Sequence, residues 1–283
     1  MHINKYQDLC LFGIAAMTTQ HDHPQLSCDT CANGAGLDFD FTMAFQPIVK
    51  MSTQEVYAYE SLARGLNNEP AGKVFERVND ANRYRFDQAC RVKAVKLAAE
   101  LSIPCFLSIN FMPNAVYRPE LCIRTTLAAA AQYGFPIERI IFEITESEEI
   151  EDRDHMRGIV EHYAHRGLKT AIDDFGAGYA GLNLLADVRT DIVKLDMALI
   201  RDIHKDRVRQ IIVKGLVQIC ADLQSSVIAE GVETKEELLA LQSLGIDLFQ
   251  GYYFAKPAFQ SLPAIAPGAF NTAADQTGST TPA

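Results

Sequence analysis

Five carboxylates, one carboxamide and one ammonium hold equivalent places in a recurring pattern: Glu60, Asn110, Glu143, the Asp173–Asp174 pair, Lys194 and Glu230 each fall late in a short apolar run. For any one of them a polar strand end needs no explanation. The set does. Two carboxylates about 4 Å apart repel by roughly 4 kcal/mol at an effective dielectric near 20, so five brought to one point call for bound cations. An all-oxygen donor set with an Asn carbonyl suits Mg²⁺ or Mn²⁺ rather than Zn²⁺, which prefers His or Cys. Adjacent Asp173 and Asp174 let one carboxylate bridge two ions while the next binds only the second, the arrangement of a two-metal hydrolase.

Bringing these residues together requires the runs to be strands of one sheet. Eight candidates rich in β-branched and aromatic residues recur: MAFQPIV, EVYAYESLA, CFLSIN, RIIFEITE, LKTAIDD, DIVKLD, SVIAEG and DLFQG. Helical spacing separates most of them, with apolar stripes at Phe86, Cys90, Ala94, Leu97, Leu101, then Met156, Ile159, Val160, Tyr163, Ala164, then Val208, Ile211, Ile212, Gly215, Leu216, Ile219, Leu223. Alternating strand and helix predicts an α/β fold of the TIM-type (β/α)8 barrel class, in which the carboxyl ends of the parallel strands converge on one face. Only Lys50 to Gln54 separates the first two runs, too little for a parallel crossover, so the first strand is expected antiparallel to the rest.

The remaining composition bounds the partners. The 283 residues are 48% hydrophobic and 22% charged, with 26 basic against 36 acidic side chains and a net charge of −10. No basic field exists to hold a DNA or RNA polymer. Any phosphate ligand must therefore meet local cations. Seven cysteines without a regular framework predict a reducing, cytoplasmic setting, and the run Leu9 to Met17 is too short to span a bilayer, so no membrane insertion is expected. The chain divides into an arm, 1–40, a domain, 41–262, and a flexible polar tail, 263–283. In the arm, His21, His23, Cys28 and Cys31 leave Zn²⁺ binding or redox chemistry open beside plain thiols. His155, His162 and His165 are read as surface residues of a helix.

From about 42 to 260 the motifs resemble, in order, those of the EAL family of cyclic di-GMP phosphodiesterases. Glu60-Ser61-Leu62-Ala63-Arg64 is similar to its ExLxR signature; SINFMP around Asn110, FEITE around Glu143, DDFGAG at 173–178, KLD at 194–196, AEGVE at 229–233 and QGYYFAKP at 250–257 follow. The resemblance implies hydrolysis of cyclic di-GMP to linear pGpG, a signalling activity, with two Mg²⁺ or Mn²⁺ ions and with Ca²⁺ inhibitory. It implies that Glu60, Asn110, Glu143 and Asp173 hold one ion, that Asp173, Asp174 and Glu230 hold the other, and that Lys194 orients or deprotonates the attacking water. Gln46, Leu62, Arg64, Asp196, Glu233 and Gln250 would contact substrate, Arg64 through its forked donors on a phosphate. Glu146 resembles the glutamate that steadies the Gly-rich loop after Asp174 and so supports catalysis. A homodimer is implied.

Three positions depart from the family pattern: Ser61 stands for the Ala that names it, Ala177 for a common Thr, and Ala180-Gly181 for a common Ser-Ser pair. No implied ligand is lost, but the loop changes bear on its coupling to dimerisation. The alternatives are a non-catalytic cyclic di-GMP receptor or partner-binding EAL domain, and another metal-dependent barrel phosphohydrolase, which leaves the ExLxR run unexplained. No GGDEF-type cyclase sequence is present.

Overall fold

All eight runs become strands, and the short connection at 51–54 does what its length requires. The computed structural model describes residues 37–112, 116, 119–145, 153–178 and 181–271. Strands β1 (Thr42–Lys50) and β2 (Glu55–Arg64) form an antiparallel pair that places Gln46 opposite Glu60. From β2 the sheet runs in parallel through β3 (Phe106–Asn110), β4 (Ile140–Thr145), β5 (Lys169–Phe175), β6 (Ile192–Leu195), β7 (Ser226–Ala229) and β8 (Leu248–Gln250). β8 then pairs antiparallel with the lower half of β1, so the eight strands close into a barrel with no free edge. A two-residue strand the sequence did not reveal, β9 (Ala258–Phe259), pairs with the upper half of β1 at Ala44 and Phe45.

Helices fill the crossovers: α1 (Ala71–Phe75), α2 (Arg83–Glu100), α3 (Pro119–Tyr133), α4 (Arg153–His165), α5 (Gly181–Asp187), α6 (Met197–Ile200), α7 (Arg207–Asp222) and α8 (Lys235–Ser243). Among the described residues no helix is long and apolar enough to cross a membrane.

A period of two along each strand decides what faces the barrel axis. At the amino-terminal end of the parallel strands, Ile48, Ala58, Ile141, Ala171, Ile192, Ile228 and Leu248 pack into an apolar plug of their own. Two residues further toward the carboxyl ends, the same faces carry Gln46, Glu60, Ser108, Glu143, Asp173, Lys194, Glu230 and Gln250. The alternate positions, such as Phe142, Ile144, Ile172, Val193 and Phe249, belong to the larger core between strands and helices. The plug fills the amino-terminal end of the barrel, and the polar layer lies on its carboxyl-end side.

Two helices differ from their expected stripes. α2 buries Phe86 and Ala94 as anticipated, but also Asp87, Gln88 and Arg91, while Cys90, Leu97 and Leu101 are half-buried. Arg91 meets Asp87 at 2.6 Å and lies between the Phe111 and Phe142 rings, and Asp87 accepts the Met112 amide at 2.9 Å. A buried ion pair thus ties the helix to the chain just beyond Asn110. On α7 the anticipated stripe, Leu216 apart, faces outward: Val213, Leu216 and Cys220 are buried, whereas Val208, Ile211, Ile212 and Ile219 are exposed. The helix is apolar on two sides, and periodicity alone does not say which one the barrel takes. α4 buries Met156, Ile159, Val160 and Tyr163 as expected and leaves Ala164 exposed.

Phe39 packs against Phe86, and in the segment 263–271 Ala269 is buried, the Ala266 amide bonds Phe254 and the Phe270 ring meets that of Phe254.

Candidate active site

Lys194, fully buried on β6, sits at the centre of the polar layer. Its Nζ lies 2.7 Å from Glu230, 2.8 Å from Asp173, 3.0 Å from Glu143 and 3.6 Å from Glu60. The surrounding carboxylates are themselves fixed by neighbours. Glu60 accepts hydrogen bonds from the Asn110 amide at 3.0 Å and from Gln250 at 2.6 Å, and Gln250 reaches Gln46 at 3.3 Å. Ser108 donates to Glu143 at 2.6 Å.

Asp173 and Asp174 diverge because the strand bulges where they stand. The β5–β6 register shifts between Ile172 and Phe175, and Asp174 has a left-handed backbone, φ 53°. Such a bulge re-aims one side chain, and Asp tolerates this conformation better than most residues. Asp173 therefore stays in the barrel while Asp174 turns to its rim. Two oxygen clusters result, Glu60–Glu143–Asp173 and Asp173–Asp174–Glu230, in each of which the ligand atoms lie within 4.8 Å of one another, with Asp173 common to both.

The electrostatics fit a cation site. Burial, reinforced by the neighbouring carboxylates, holds Glu143 and Glu230 well above the usual carboxylate range even against Lys194. Burial, with Asp173 beside it, raises Asp174 from 3.8 to about 6. Burial pulls Lys194 down, but Asp173, Glu143, Glu230 and Glu60 outweigh it and keep the ammonium charged. One ammonium stands against five carboxylates, and the buried Glu143 Oε2 has no hydrogen-bond partner. An orphaned carboxylate oxygen among oxygen donors is what a hard divalent cation satisfies.

Of the residues singled out in the sequence, Glu60, Asn110, Glu143, Asp173, Asp174, Lys194, Glu230, Gln46 and Gln250 come together here. Leu62 and Arg64 lie at the end of β2, half-buried, and Arg64 donates to the Ala63 carbonyl at 2.8 Å. Asp196 caps α6 through the Ala198 amide at 2.8 Å, and Glu233 forms a forked pair with Arg201, 2.8 and 2.9 Å. Glu146, His21, His23, Cys28 and Cys31 lie outside the described residues. Sequence reasoning missed Ser108, although it stands two residues before Asn110 on the same strand face, and it missed Glu237 and Arg201.

A TIM-type barrel closed by one antiparallel strand, with two all-oxygen clusters sharing an aspartate at its carboxyl-end mouth, is a scaffold equipped to hold divalent cations. The chain belongs to the EAL family: the EAL domain profile matches residues 36–257. A standalone versatile EAL protein from Vibrio cholerae O395, solved in a c-di-GMP-bound form, is 59% identical with a TM-score of 0.81, covering 83% of this chain and 100% of that one. BlrP1 of Klebsiella pneumoniae, in a manganese/cy-diGMP complex, is 37% identical with a TM-score of 0.74, over 78% of this chain and 56% of its own. The blue light- and temperature-regulated antirepressor BluF of Escherichia coli K12 is 32% identical over 239 residues, 84% of this chain and 59% of BluF. The chain thus spans about three fifths of that relative.

Proposed function

We propose that the chain hydrolyses cyclic di-GMP to linear pGpG in a divalent-cation-dependent reaction, breaking one of the two phosphodiester bonds with one water. The observation that carries this reading is the pair of carboxylate clusters meeting at Asp173 with Lys194 between them. Glu60, Asn110, Glu143 and Asp173 would hold one Mg²⁺ or Mn²⁺ and Asp173, Asp174 and Glu230 the second, the ions supplying an activated water and compensation for charge on the phosphoryl group. Ser108 and Gln250 hold Glu143 and Glu60 in place as ligands. Lys194, held as an ammonium by the carboxylates around it, would orient the attacking water and balance charge rather than take its proton. Arg64, at the mouth, grips a substrate phosphate. The relatives solved with c-di-GMP, one of them with manganese, support this choice of substrate and ion.

Incubating the protein with cyclic di-GMP and Mn²⁺ or Mg²⁺ and resolving the products by chromatography tests the reading; binding without pGpG would establish the receptor alternative, which the likeness to an antirepressor favours. Arg64→Lys is expected to weaken cyclic di-GMP binding about tenfold or more although charge is kept, because an ammonium cannot reproduce the guanidinium fork. Calorimetry in Ca²⁺, proposed to permit binding without turnover, measures this. Unchanged affinity would take Arg64 off the phosphate.

The outward face of α7 supports a homodimer. Val208 is 66% exposed, Ile211 58% and Ile212 46%, and a contiguous apolar patch of this kind marks an interaction surface. Gly215 lets a second helix approach closely. Arg207 lies at the amino end and Asp222 at the other, so a second copy packed antiparallel sets opposite charges together. Ile211→Glu should convert a dimer to a monomer in sedimentation analysis. A wild-type monomer at tens of micromolar, or a dimeric variant, contradicts this interface.

A further inference from the structure

A buried carboxylate outside the acidic cluster joins the loop that carries Glu230 to the chain leaving α6. Glu237, at the third position of α8, is 1% exposed. Its Oε2 accepts the amides of Glu233 at 3.0 Å and Thr234 at 3.2 Å, while Thr234 Oγ1 accepts the Glu237 amide, a reciprocal cap. Its other oxygen leaves the helix altogether and accepts the Asp202 amide at 2.9 Å. A cap serving only its own helix has no use for that reach. Burial works to raise Glu237, but the three amides outweigh it and hold the carboxyl below the ordinary range, so it is a permanent anion at this junction. Arg201 strengthens the same junction through its fork on Glu233.

What Glu237 secures on the far side is the exit of α6. This four-residue helix is capped at its start by Asp196 and followed by Asp202, whose left-handed backbone, φ 55°, fixes the turn toward α7. The two loops beside α6 close onto its side chains at glycines. A Cβ on Gly231 would lie 2.7 Å from Met197 Cβ, and one on Gly176 would lie 2.3 Å from Leu199 Cδ1. Gly231 follows Glu230, and Gly176 is two residues beyond Asp174. α6 is therefore wedged between the loops that carry these two carboxylates, and its exit is held by an amide bond to Glu237. Both loops therefore pack against α6, and displacing α6 disturbs the contacts of each.

We propose that Glu237 is a positioning residue for the half of the site formed by Asp174 and Glu230, acting through α6. It touches neither substrate nor ion. It fixes the separation of the two loops, and hence the span between two carboxylates that must meet one cation. The inference rests on the two-cation reading above, but its test does not need turnover.

The experiment is calorimetric titration of the full-length protein with Mn²⁺, for the wild type, Glu237→Ala and Thr234→Ala, alongside thermal melting. Thr234→Ala removes the hydroxyl cap of α8 and keeps the bond to Asp202, so it reports what loss of helix capping alone does. In Glu237→Ala one of the two Mn²⁺ sites is expected to lose about ten- to a hundredfold in affinity, as supporting residues of metal ligands commonly cost. The other site and the Thr234→Ala titration should match the wild type. Should Glu237→Ala fail to fold, Glu237→Gln, whose amide offers one acceptor in place of two, is expected to give the same selective loss. Wild-type affinities at both sites in a folded Glu237 variant, or an identical loss in Thr234→Ala, would overturn the proposal. A wild type that binds two ions yet leaves cyclic di-GMP intact would instead defeat the proposed reaction, and the same titrations would still decide the role of Glu237.

Discussion

Asp173→Asn is expected to abolish hydrolysis of cyclic di-GMP and leave the barrel folded. Asp173 alone belongs to both oxygen clusters, so its charge is the one ligand the two ions would share. Asn preserves shape and removes that charge. Losing cation stabilisation of the reaction, several kcal/mol, corresponds to a rate fall of about a thousandfold or more at 1.36 kcal/mol per factor of ten. Glu60→Ala should act similarly, but through one cluster only. Stability points the other way. Asp173 is one of five clustered carboxylates, so neutralising it relieves repulsion with Glu143, Asp174 and Glu230 while costing one contact to Lys194. The metal-free melting temperature should therefore change by only a few degrees. Turnover in Mn²⁺ together with circular dichroism checks both parts, and a folded variant with near wild-type turnover would sink the shared-ligand assignment.

The strands were legible because each is β-rich, bounded and marked by one polar residue near its end. The antiparallel start was legible from chain length alone, since residues 51–54 cannot carry a crossover. Helix faces were less so. α7 offers apolar residues on two sides, and Ile211, Ile212 and Ile219 turn outward while Val213, Leu216 and Cys220 meet the barrel. α2 hides Asp87 and Arg91, charges that hydropathy assigns to solvent and that are buried only because each completes the other. β9 has two residues and no pattern to read.

At the site, residue type and strand position found every carboxylate of the two oxygen clusters, since five acids in one layer are costly enough to be informative. Ser108 escaped notice because a serine in a strand is unremarkable by type, and only the barrel shows its hydroxyl on Glu143. Glu237 and Arg201 escaped for a different reason: they lie beyond the strand ends, and their partners come from separate loops. The bend that separates Asp173 from Asp174 was foreseeable in kind from two adjacent acids at a strand end, but its left-handed residue is a product of the closed sheet.

Lys194→Met should be the most destabilising single change in the barrel interior. Met keeps the apolar stem and deletes the charge, leaving Glu60, Glu143, Asp173 and Glu230 facing one another without the ammonium that now lies 2.7–3.6 Å from all four. Breaking a buried ion pair by removing one partner costs about 3–5 kcal/mol. At roughly 2–4 °C per kcal/mol for a domain of this size, the metal-free melting temperature should fall by about 6–20 °C. The dependence on pH has a definite sign. A carboxyl whose folded pKa is raised binds protons more tightly folded than unfolded, so it stabilises at low pH, and that contribution is lost as pH rises through the folded value. Asp174, ordinarily 3.8 and here about 6, places that loss in the wild type between about pH 4 and 7. Without Lys194 the opposing pull on Glu143 and Glu230 disappears, so the decline should steepen and extend to higher pH. Mn²⁺ should then raise the melting temperature of Lys194→Met more than that of the wild type, because a divalent ion replaces the missing charge. Turnover should nevertheless stay low, by about a hundredfold or more, since losing one donor aimed at the reacting oxygens costs on that scale. Melting curves from pH 5 to 8 with and without Mn²⁺ measure these effects. A variant within about 2 °C of the wild type across that range would show that some other group balances the carboxylates.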